Sequence, residues 1–198
     1  SNMTKYLTQW TMDDVESVGL LKIDFLGIRY LTMVSSIVEE IRKENPAFDI
    51  TKINYQDPKV YELFAKGKTE GIFQFESSGM KEKLNLLKPT EFNDIVAMNA
   101  LYRPGPMAQI EVYVRRKNKE EQVVYPHPHL EKILKDTYGV IVYQEQIMLI
   151  AVNFAHMSLN EADNMRRAVS KKKKEDLEYY GRIFIEKSVA AGYDIKVA

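Results

Sequence analysis

Through most of its length this chain places apolar residues three and four positions apart, and it closes nearly every such run with proline, glycine or a capping side chain. That interval is the repeat of a helix surface, so the pattern restricts the chain to a mainly helical body. Leu26, Tyr30, Val34, Ile37, Val38 and Ile41 predict a first helix ended by Asn45 and Pro46. Asp57 and Pro58 have the form of an N-cap and a first helical residue, and Gly67 follows the apolar Val60, Tyr61, Leu63 and Phe64 as a stop. Ser77 or Ser78 caps the next helix, with Met80, Leu84 and Leu87 as its buried stripe. Thr90 is expected to cap another, which stops at the RPGP of residues 103–106. Further helical runs follow at Met107 to Val114, Leu130 to Leu134, Ile147 to Phe154, from the capping-box sequence Ser158 to Glu161, and from about Lys173 to a stop at Gly192.

Three stretches depart from this period and predict short strands. GLLKIDFLG from Gly19, GIFQFE from Gly71 and YGVIVYQ from Tyr138 are rich in β-branched and aromatic residues. The expected fold is therefore mainly α with a few short strands, an α+β arrangement. At 198 residues with 45% hydrophobic content the chain can bury a sizeable core. Equal counts of 28 basic and 28 acidic residues give no overall basic character, so attraction to a polyanion has to come from local clusters. The absence of cysteine excludes disulfides, zinc ribbons and thiol catalysis, and fits a cytoplasmic protein. No apolar run approaches the length of a membrane span. Ser1 and Asn2 ahead of Met3 read as a scar of tag removal, and the chain reads as a piece of a longer protein.

Within GLLKIDFLG, strand alternation puts Leu21, Ile23 and Phe25 on one face and Lys22 and Asp24 on the other. A carboxylate on a rigid strand beside a lysine is suited to Mg²⁺, which takes oxygen donors in fixed geometry. The plainer reading is an exposed ion pair on an edge strand, worth little. RRAVSKKKK, residues 166–174, holds six basic residues in nine positions. If one helix runs through it, Arg167, Lys171 and Lys174 share a face, and with no acidic neighbour before Glu175 an external anion relieves their repulsion. A solvated helix end is the alternative. In ALYRPGPM, Pro104, Gly105 and Pro106 make a stiff corner that presents Arg103, and this is also a plain helix stop. His127 and His129 lack a third ligand at useful spacing, so a turn is favoured over a metal site.

Taken in order, LLKIDFLGIR, GIFQFESSGM, LYRPGPM, YPHPHLE, TYGVIVYQEQIM and EADNMRRAVSKKK resemble the blocks of the bacterial DNA polymerase III alpha subunits of the DnaE type, the C-family replicative polymerases, from about Gly19 to Asp194. The resemblance implies a lead-in over residues 1–18, the end of a palm domain over 19–45 and a helical fingers domain over 46–198. By motif position, Asp24 matches a catalytic, metal-binding aspartate and Lys22 the active-site lysine beside it. Arg166 and Arg167 match the arginine pair associated with the nucleotide triphosphate, Lys171, Lys173 and Lys174 match as a basic run, and Arg103 joins the nucleotide-binding set. The family's other two catalytic aspartates come from an upstream motif that does not precede Gly19 here. The implied cofactor is Mg²⁺ in a two-metal site completed by carboxylates outside this chain. The implied partners are primer-template DNA, deoxynucleoside triphosphates and other replisome subunits, without a membrane. A polymerase segment of this kind is expected to be inactive alone. Two other readings stay open on the residues: a free-standing helical module binding single-stranded nucleic acid, and a structural scaffold that binds no nucleotide.

Overall fold

A computed structural model describes residues 8–21, 23, 27, 29–171 and 174–198. Ten α-helices occur among them: α1 (Met12–Ser17), α2 (Tyr30–Glu44), α3 (Pro58–Ala65), α4 (Ser78–Leu87), α5 (Phe92–Leu101), α6 (Ile110–Lys117), α7 (Glu131–Leu134), α8 (Gln144–Asn153), α9 (Leu159–Lys171) and α10 (Lys174–Ala190). The chain forms two compact units, Ser1–Ile53 and Asn54–Ala198. In the first, Thr11 caps α1, and α2 buries only Val38.

The second unit is built around two layers of packing. In one, Tyr61 and Phe64 from α3, Met80, Leu84 and Leu87 from α4, Ile95, Met98 and Leu101 from α5, and Ile110, Tyr113 and Val114 from α6 form a single apolar cluster with Phe75 and Val140. In the other, α8 buries Ile150 with Leu130, Leu134 and Phe154. Its Ala151 packs with Ala155, Met157 and Ala162, and the small alanine side chains let α8 and α9 approach closely. Helices α9 and α10 pack as an antiparallel pair, for Glu161 at the start of α9 meets Lys187 near the end of α10 at 2.8 Å.

Local signals place most of these ends. Asp57 accepts from Lys59 N ahead of Pro58, Ser77 accepts from Met80 N, and Ser158 and Glu161 form the reciprocal capping box. The cap of α5 is Glu91 rather than Thr90, because the carboxylate of Asp94 turns back to accept from both Thr90 N and Glu91 N.

The expected strands are absent among the described residues. At GIFQFE the backbone is left-handed at Gly71 and Gln74, and a series of turns wraps buried Phe75 onto Thr69, whose hydroxyl donates to Phe75 O. At YGVIVYQ, Tyr138 and Gly139 are both left-handed, which ends any extended run. The backbone groups that a ladder would pair go to side chains instead. Gln146 Oε1 accepts from Val142 N at 2.8 Å and Tyr143 N at 2.9 Å, and Arg116 donates to Tyr138 O at 3.1 Å. For GLLKIDFLG, Lys22, Asp24, Phe25 and Leu26 lie outside the described residues. Leu21 and Ile23, expected to be buried, are 84% and 63% exposed. No ladder among the described residues pairs with this stretch, and a strand without neighbours has no face to bury.

Candidate functional site

The basic segment splits between two helices. Arg166 and Arg167 stand in the penultimate turns of α9, which ends at Lys171, while Lys174 opens α10. The expected continuous face of Arg167, Lys171 and Lys174 on one helix is therefore not formed, because α10 packs back along α9. Lys173 lies outside the described residues. Lys174 is well exposed and faces Glu178 one turn on, at 3.8 Å.

The anion that the segment was expected to need is already present, three and four residues upstream. Asp163 Oδ1 accepts from Arg166 Nε at 2.9 Å and Nη2 at 2.7 Å, and Asp163 Oδ2 meets Arg167 Nη2 at 2.8 Å. An acid N-terminal to its basic partners at these spacings is the favourable helical order. The Arg166 fork is the first cause holding the Asp163 carboxyl below its ordinary value, so this carboxylate stays charged. Arg166 also donates from Nη1 to Gln144 Oε1 at 2.8 Å, at the first residue of α8, and Gln144 Nε2 donates to Ser170 Oγ at 3.3 Å.

The two arginines thus differ. Arg166 has Nε and both terminal nitrogens engaged, and its side chain is 23% exposed. Arg167 uses one terminal nitrogen and is 61% exposed, which leaves most of a planar fork for an outside anion. Asp163 and Ser170 were not singled out from the sequence, although the spacing of Asp163 to both arginines was a legible sign.

Arg103 is exposed on the corner after α5, where Gly105 takes φ 105°. No hydrogen bond or ion pair among the described residues joins it to Arg166 or Arg167. His127 and His129 form a turn: His127 Nδ1 accepts from His129 N, and both rings pack with Tyr193. Among the described residues no three His, Asp or Glu side chains converge on a metal position. Asp24 and Lys22 lie outside those residues.

A helical domain with a buttressed arginine pair on its surface is the class of protein that this fold and site define. A family model for the bacterial DNA polymerase III alpha subunit finger domain matches residues 30–192, and the chain belongs to that family. It is 54% identical over 194 residues to the DNA polymerase III subunit alpha of Bacillus subtilis (strain 168), covering 98% of this chain and 17% of that protein. It is 52% identical over 191 residues to the protein of the same name from Staphylococcus aureus (strain COL), covering 96% and 18%. The chain spans less than a fifth of the length of these relatives.

Proposed function

We propose that this chain is the nucleotide-gripping part of a replicative DNA polymerase that extends a primer by metal-dependent nucleotidyl transfer. The observation that carries the reading is the division of labour at Asp163. This carboxylate and Gln144 hold Arg166 in place, and Arg167 is left with free donors suited to the oxygens of a triphosphate. Neutralising charge on the leaving pyrophosphate is what phosphoryl transfer asks of such a cation. Arg103 and Lys174, both exposed, are assigned to the same nucleotide or to the DNA beside it, with Lys171 and Lys173 as further members of the basic run.

The described residues offer no cluster that fits Mg²⁺, so no step through the metal is assigned to them. Asp24 as one metal ligand and Lys22 as its neighbour rest on motif position, within a palm end over residues 19–45 that precedes fingers over 46–198. The proposed partners are primer-template DNA, deoxynucleoside triphosphates and other replisome subunits, in the cytoplasm. No helix among the described residues is long and apolar enough to cross a membrane.

The deciding experiment titrates the full-length polymerase with a labelled deoxynucleoside triphosphate and, separately, with primer-template DNA at two salt concentrations. Weakened nucleotide binding in Arg167→Ala, with DNA affinity unchanged, supports the reading. Weakened DNA binding with nucleotide binding intact overturns it and moves the basic segment to the DNA track.

A further inference from the structure

The corner that carries Arg103 is held against the start of α4 by a contact that only glycine admits. Gly79 is the second residue of α4 and has no left-handed backbone, so its conformational freedom is not in use. What matters there is the missing side chain. A Cβ at Gly79 would overlap the hydroxyl oxygen of Tyr102 and stand 3.4 Å from its Cζ. Tyr102 is the residue immediately before Arg103, it ends α5, and its ring packs against the larger apolar cluster. Its hydroxyl makes no hydrogen bond among the described residues, so what the ring tip needs from Gly79 is open space rather than a polar partner.

A second contact ties the same two segments. Asn99, in the last turn of α5, donates from Nδ2 to Gln74 Oε1 at 2.9 Å, and Gln74 sits at φ 67° in the loop that leads into α4. Residues without a glycine's latitude persist in that region where surrounding contacts hold them. The tight turn after Tyr102, in which Arg103 N donates to Leu101 O at 2.8 Å, leaves little slack between the ring and the Arg103 backbone.

We propose that Gly79 is a positioning residue: by admitting the Tyr102 ring tip it sets the corner that presents Arg103. The inference rests on the reading of Arg103 as a nucleotide contact. A methyl at Gly79 displaces the Tyr102 ring, and the displacement passes to the next residue, where a shift of about 1 Å is enough to weaken a directed contact.

The test uses the full-length polymerase and steady-state incorporation. Gly79→Ala is expected to raise the nucleotide KM by about tenfold while primer-template affinity stays within about twofold of the parent. Tyr102→Phe removes the overlapping atom and leaves Cζ at an ordinary distance from the added methyl. The double variant Gly79→Ala/Tyr102→Phe is therefore expected to return KM to within about twofold of the parent, with Tyr102→Phe alone parent-like. An unchanged KM in Gly79→Ala, or a defect that Tyr102→Phe does not relieve, overturns the proposal. If Gly79→Ala does not fold, the double variant decides: recovery of fold and KM supports the role, and failure to recover overturns it. Arg103→Ala measured alongside separates the two ideas. A parent-like KM there overturns the nucleotide reading of the corner, whereas a raised KM in Arg103→Ala with none in Gly79→Ala overturns the positioning role alone.

Discussion

Lys117 Nζ lies 3.4 Å from Asp94 Oδ2, and the two side chains are 7% and 1% exposed, an ion pair withdrawn from water between the end of α6 and the start of α5. The same ammonium donates to Lys88 O at 2.7 Å and Leu87 O at 3.3 Å, so it also satisfies the last carbonyls of α4. Three helices meet on one cation. Removing one partner of such a pair strands the other charge in the interior, which costs far more than the pair itself is worth.

Lys117→Met is accordingly expected to destabilise the second unit by about 3–5 kcal/mol in urea unfolding, and Lys117→Met/Asp94→Asn to recover part of that loss. Equal destabilisation by single and double variants would show that the pairing is not what matters.

Arg167→Lys keeps the charge at the proposed triphosphate contact and loses the planar fork. In the full-length polymerase it is expected to raise the nucleotide KM for all four bases alike, by about tenfold, since phosphate contacts carry no base information. Arg166→Lys is expected to act indirectly, by loosening Asp163 and Gln144, and to affect KM less. A base-selective defect in Arg167→Lys would contradict the assignment.

In the full-length polymerase, Asp24→Asn is expected to abolish primer extension while primer-template affinity stays near that of the parent, because the change removes a proposed metal ligand and no DNA contact. Extension at the parental rate would remove Asp24 from the metal site.

Glu161 is held down to about 2 from 4.5, first by the hydrogen bond from Lys187 and then by the Ser158 N–H and hydroxyl. A depressed folded-state value means stability that is present above pH 4.5 and is lost as pH falls toward 2. Acid unfolding of the α9–α10 pair should therefore steepen across that window, and Glu161→Gln should flatten it. A pH profile unaltered by Glu161→Gln would dissociate the carboxylate from acid sensitivity.

Gln146 is buried and serves four groups: it accepts from Val142 N and Tyr143 N and donates to Thr137 Oγ1 and Ile133 O. Gln146→Leu removes the partner of Val142 N, Tyr143 N and Ile133 O, while the Thr137 hydroxyl keeps its bond to Val140 O, and a loss of about 1–3 kcal/mol in chemical unfolding is expected. A neutral substitution would mean that water reaches the loop.

Most of the helices after Tyr30, and many of their ends, were legible in the sequence because the forces that set them act over three or four residues, whereas α1 was not expected from it and the cap of α5 falls on Glu91 rather than Thr90. Asp57 before Pro58, Ser158 with Glu161, and the RPGP stop each carry their partner within one turn. The corner at Gly105 was readable for the same reason. Tertiary structure decided the rest. YGVIVYQ has the composition of a strand, yet its backbone is taken by Gln146 and by Arg116, the latter 22 residues upstream of Tyr138, and composition carries no record of such a competitor. The basic run illustrates the same boundary. Its charge and its arginine forks were plain from the residues, but the difference between an Arg166 with all three nitrogens engaged and a largely free Arg167 depends on Gln144 arriving from another helix. Sequence alone thus determined which side chains could grip an anion, and packing decided which of them still has donors to offer, because a hydrogen bond spent on a neighbour in space is unavailable to a ligand.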